Sequence, residues 1–116
     1  MTRASAPPWC RRARTPTRCS GAPASTGLFE TTVSGCDIAE LDLNGKPAPD
    51  GFLEAARRLD VSPRRAVVVE DALAGVTAGR AGGFGLVVGV ARHAEPSALR
   101  SAGADLVVAD LAEMLP

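Results

Sequence analysis

The sequence predicts an α/β fold, a parallel sheet flanked by helices, and three observations carry that expectation. Ala66–Val69 and the stretch 84–90 are continuous apolar runs of strand length, the pattern of strands covered on both faces. The segments after them have helical length and end in glycine, at Gly82-Gly83 and at Gly103. Strand, helix, strand, helix, strand along 66–109 is the alternation of a parallel sheet with right-handed crossovers.

Residues 1–25 are unlike the rest. They are rich in Pro, Arg, Ser and Thr, carry five arginines and no acid, and show no helical or strand period. Too little apolar surface is present to order such a segment, so it is expected to be disordered. Three readings fit it: a basic arm, a transit-like leader, or non-native sequence. The domain proper is expected to span 26–116.

LFETTVSG, 28–35, mixes large apolar with β-branched residues and reads as a short strand. CDIAELDLNG then reads as an irregular loop. In Gly45-Lys46-Pro47-Ala48-Pro49 each proline holds the residue before it out of helix, which stiffens the loop carrying Lys46. Pro49 and Asp50 open a helix. Phe52, Leu53, Ala56 and Leu59 supply its buried stripe, with Glu54, Arg57 and Arg58 facing water. Pro63 breaks that helix ahead of the strand 66–69. In the helix that follows, Gly75 and Gly79 cost propensity and so imply close packing or close approach of a ligand. The stretch 94–103 is a further helix, 104–109 a last strand, and DLAEML a closing helical turn.

A chain of 116 residues suits one small domain, and with 3% aromatic residues its core must be built from Val, Leu, Ala and Gly. Net charge is zero, yet residues 26–116 hold eight bases and thirteen acids, which argues against a nucleic-acid partner. Cys10, Cys19 and Cys36 lack metal-ligand spacing and the single histidine, His93, lies far away, so free thiols in a cytoplasmic protein are expected. No apolar stretch approaches the ~18 residues of a membrane span.

The residues suited to chemistry are Lys46, Glu70 and Asp71. The acids follow a buried strand directly, at the carboxyl edge where α/β sheets place ligands, and cannot enter the core unpaired. Lys46 is the only lysine, and loop, helix, strand brings it to the same edge. Two carboxylates suit Mg²⁺, and a lysine beside them offsets phosphate charge. The bland alternatives are acids favoured by a helix dipole and a solvated lysine.

GKPAPDGFLEAARRL followed by VVVEDALAGVTAGRAGGFGLVVGV resembles two motifs of the haloacid dehalogenase-like hydrolases, most closely the β-phosphoglucomutase-like branch, over about residues 27–115. The resemblance implies a partial Rossmann-like sheet and Mg²⁺-dependent phosphoryl transfer on a small sugar phosphate. It implies that Lys46 contacts the phosphoryl group as a catalytic residue and that Glu70 and Asp71 bind Mg²⁺. Ala72 and Gly75 would line the turn beside the substrate. The family pattern also begins with a strand ending in Asp-x-Asp, the nucleophile motif, and continues with a cap. This sequence contains no Asp-x-Asp, and no cap or first strand is expected. That departure favours the non-native reading of 1–25, a C-terminal fragment, and a chain inactive alone. The competing class is a non-catalytic α/β binding module that keeps a metal and phosphate half-site. A phospho-acceptor receiver fits less well, because there the acid pair precedes the lysine.

Overall fold

The computed structural model describes residues 28–116. They fall in two compact units, one ending at Leu43 and the other spanning Asn44–Pro116. The expectations for residues 1–25 lie outside the described residues.

In the first unit the expected strand over 28–35 is absent, and the expected loop after it holds a short helix, α1, Gly35–Glu40. The reason is local. Ser34 and Asp37 form a capping box, in which the Ser34 side chain accepts from Asp37 N at 3.3 Å and Asp37 Oδ2 accepts from Ser34 N at 2.7 Å. Satisfying orphan donors at a helix start outweighs the β preference of the residues before it. Cys36 is disulfide-bonded, which corrects the expectation of a free thiol there.

The second unit is the expected α/β body. Its elements are α2 (Asp50–Arg58), a 3-10 turn (Pro63–Arg65), β1 (Val67–Glu70), α3 (Leu73–Ala81), β2 (Leu86–Val90), α4 (Pro96–Ala102), β3 (Leu106–Val108) and a 3-10 turn at Leu111–Met114. The strands form one parallel sheet in the order β1-β2-β3. Val67 stands opposite Leu86 and Glu70 opposite Gly89, while Val88 stands opposite Leu106. β2, the central strand, is buried from Val87 to Val90. α3 packs on β1, β2 and α4.

Gly79 permits that packing. A Cβ there would lie 3.1 Å from Val68 and Val87 side-chain carbons, so the helix meets the sheet backbone-first. Val68, Val76, Val87 and Leu99 form the core, and each of these side chains contributes roughly 1.5–3 kcal/mol by leaving water.

Two expectations about burial are corrected. β1 is not covered on both faces: Val68 is buried, but Val67 and Val69 are 57% and 47% exposed. Among the described residues β1 has one ladder partner, so its outward face lacks the neighbours that bury β2. In α2 the stripe is narrower than its apolar spacing suggests, with Ala56 buried but Leu53 and Leu59 exposed. Glu54 is not merely hydrated either. Arg57 and then Arg58 donate to its carboxylate, which pulls its pKa down to about 2. No helix among the described residues is long and apolar enough to cross a membrane.

Candidate functional site

Glu70 is the last residue of β1 and Asp71 the next, so both acids leave the sheet at its carboxyl edge. Asp71 and Ala72 make the turn into α3, with Ala72 extended (φ −111°, ψ 145°) at the helix N-cap.

Lys46 reaches the same edge from the loop ahead of α2. That loop is held by Asp50, whose Oδ2 accepts from Asn44 N at 3.0 Å and from Asn44 Nδ2 at 3.1 Å. Ala48 N closes a turn on Gly45 O at 3.0 Å, and the Lys46–Pro47 peptide is cis. The Lys46 ammonium donates to Glu70 Oε1 in an ion pair and sits 5.0 Å from the centre of the Phe52 ring. Phe52 is braced edge-on by Phe84, with ring centres 6.0 Å apart. An aromatic face thus adds cation–π attraction to the pair. The Lys46 side chain is 49% exposed and that of Glu70 12%. A half-exposed pair contributes little to stability, about 0–1 kcal/mol, so its consequence is positional. The ammonium keeps donors for a ligand.

Gly75 sets the position of Glu70. A Cβ on residue 75 would fall 2.6 Å from Glu70 Cγ and closer still to Cδ and Oε2. The first turn of α3 is therefore a cradle for the carboxylate. Asp71 is exposed and lines an open cavity of about 340 Å³ with Val69, Glu70, Val90, Arg92 and Leu111.

The side chains at this edge suited to a metal, among the described residues, are the carboxylates of Glu70 and Asp71. Among the described residues no group of three or more His, Cys, Asp or Glu side chains could hold a metal. That set does not fit zinc. It does fit Mg²⁺, which takes one or two carboxylates and keeps water or phosphate oxygens in its other positions.

The structure thus brings Lys46, Glu70 and Gly75 into contact and puts Asp71 and Ala72 in the adjoining turn. Arg92 and Leu111 escaped the sequence reading. Arg92 follows the β2 apolar run by two positions, so applying the carboxyl-edge argument to every strand would have found it. The part played by Asp50 has no comparable signal, because an acid opening a helix reads as a dipole partner.

A parallel three-stranded sheet flanked by helices, with two acids and a lysine at its carboxyl edge, defines a class, the Rossmann-like α/β proteins. The chain belongs to the haloacid dehalogenase-like hydrolases, whose family pattern matches residues 13–83. It is 52% identical over 98 residues to a β-phosphoglucomutase of Mycobacterium bovis, an alignment covering 79% of this chain and 37% of that one. It is 55% identical over 60 residues to a trehalose-phosphate phosphatase of Mycobacterium tuberculosis, covering 52% and 15% of the two chains. A solved HAD family hydrolase from Deinococcus radiodurans, with bound phosphate and sodium, superposes with a TM-score of 0.58 at 37% identity, over 67% of this chain and 36% of that one. The chain therefore spans little more than a third of the β-phosphoglucomutase it resembles.

Proposed function

We propose that this chain forms the metal- and phosphate-binding part of a Mg²⁺-dependent phosphoryl-transfer enzyme acting on a small sugar phosphate, as a phosphatase or a β-phosphoglucomutase-like mutase. The observation that carries the reading is the Lys46–Glu70 ion pair at the carboxyl edge, with Asp71 adjoining it. Glu70 and Asp71 would hold Mg²⁺, which when bound neutralises charge on phosphoryl oxygens. Lys46 offsets phosphate charge as a compact cation, and Gly75 and Ala72 keep the turn beside the substrate free of bulk. The nucleophilic aspartate is not among the residues of this sequence, which has no Asp-x-Asp. It must come from another segment or chain, so the 116-residue chain alone is inactive. The reading makes phosphorylated metabolites rather than nucleic acid or membrane the partners, while the Cys36 disulfide removes the free-thiol argument for a cytoplasmic location.

The same lack of Asp-x-Asp favours a second reading, a non-catalytic module that binds a metal and a phosphate. Both predict Mg²⁺ binding that is lost in Asp71→Asn and phosphate binding that is weakened in Lys46→Ala, each measurable by titration calorimetry. They part when the chain is supplied with the Asp-x-Asp strand and cap of a relative. Restored hydrolysis of p-nitrophenyl phosphate supports the enzyme, and persistent inactivity with intact binding supports the module. Failure of the wild-type chain to bind Mg²⁺ overturns both.

A further inference from the structure

We propose that Arg92 is a second anion anchor of this site, holding an anionic end of the substrate remote from the phosphoryl group beside Lys46; this rests on the phosphoryl-transfer reading above.

Arg92 leaves the carboxyl edge of β2 through a tight turn, in which its N donates to Val90 O at 2.9 Å. It lines the cavity of about 340 Å³ that Glu70 and Asp71 open onto. It also lines a second cavity of about 180 Å³ with Val90, Ala109, Asp110 and Leu111. The two share Val90, Arg92 and Leu111, so Arg92 belongs to the wall common to both, between the acid pair of β1 and the residues that follow β3. The larger cavity is at the lower end of the ~300–1,000 Å³ usual for small-molecule sites.

The charges around Arg92 are otherwise committed. Glu70 is paired with Lys46. Asp110 Oδ1 accepts from Ala112 N at 2.8 Å, and Glu113 Oε2 accepts from the backbone N–H groups of Ala109 and Asp110 at 2.6 and 2.9 Å. Among the described residues, neither Arg92 nor Asp71 is in an ion pair. If Asp71 goes to the metal, Arg92 remains on the cavity wall with no ion pair among the described residues. A planar fork of N–H donors in that place matches phosphate or carboxylate in a bidentate way, which an ammonium does not. Lys46 and Arg92 therefore divide the work: one anion beside the metal, the other over β2.

The test compares inorganic phosphate, which has one anionic centre, with fructose 1,6-bisphosphate, which has two. Both are titrated by calorimetry into the full chain with Mg²⁺ present. The wild-type chain is expected to bind the bisphosphate more tightly than phosphate. Arg92→Ala is expected to weaken bisphosphate binding roughly tenfold and leave phosphate binding unchanged, since a charge-assisted contact is worth about one decade or more. Arg92→Lys restores part of the loss, and Arg92→Gln serves where the alanine variant fails to fold. Equal weakening of both ligands, or no change in either, overturns the role of Arg92 while leaving the phosphoryl-transfer reading intact. Loss of Mg²⁺ and phosphate binding in the wild-type chain overturns that reading and this inference with it.

Discussion

The carboxylate of Glu70 lies directly over Gly75, in space that any side chain at residue 75 would fill. One strand end and the first turn of the next helix are matched to each other at the level of a single methyl group. Gly75→Ala should accordingly displace Glu70 from Lys46. Because alanine also raises helix propensity by about 1 kcal/mol, α3 should hold or gain stability. The expected result is Mg²⁺ affinity lowered about tenfold, as for other groups that orient metal ligands, with an unchanged circular dichroism spectrum. Unaltered Mg²⁺ affinity would show that Glu70 does not depend on this cradle.

Lys46→Ala separates position from stability. The pair it removes is half-exposed, so thermal unfolding should move by no more than about 1 kcal/mol. Phosphate affinity should fall far more, and Lys46→Arg should recover it incompletely because a larger planar group replaces the point charge that pairs with Glu70. A large stability loss with unchanged phosphate binding would reverse the assignment.

Leu99 is fully buried on α4 and joins Val68, Val76 and Val87 in the core. Leu99→Ala should cost about 2–5 kcal/mol. In a domain this small that is a large share of the total, so the expected readout is loss of a cooperative urea transition at 25 °C.

The Glu54 carboxylate titrates near 2 in the folded chain because Arg57 and Arg58 hydrogen-bond to it. Its folded pKa lies below the unfolded value, so its contribution is fully present above about pH 4.5 and is lost as pH falls toward 2. Comparing urea midpoints of the wild-type chain and Glu54→Gln should show a gap at neutral pH that narrows through this window. A gap independent of pH would mean that the carboxylate charge is not what the arginines hold.

Most of the second unit was legible because its signals are local and agree with one another. Apolar runs, glycine stops and helix-length intervals all point to one alternation, and that alternation alone puts Lys46 and Glu70 at one sheet edge although 24 residues separate them. The misreadings are equally physical. Over 28–40 the β-branched composition points to a strand, while the Ser34–Asp37 capping signature, which also stands in the sequence, points to a helix start. The apolar run of β1 reads as doubly buried because side-chain chemistry reports what a strand tolerates, whereas burial depends on which neighbours are present. Leu53 and Leu59 misled in the same way. Arg92 carries no motif in the sequence, being a lone arginine after a strand, and only the shared cavity walls give it a context.

Val67 and Val69 on β1 make one feature of the fold a matter of concentration as much as of temperature. A strand with one ladder partner among the described residues and two exposed valines offers backbone hydrogen bonds and apolar surface together, the combination that lets sheets extend from molecule to molecule. Colloidal behaviour should follow from it: light scattering of the purified chain should rise with protein concentration well below its melting transition, and a lysine at residue 67 or 69 should suppress that rise while leaving the fold as it is.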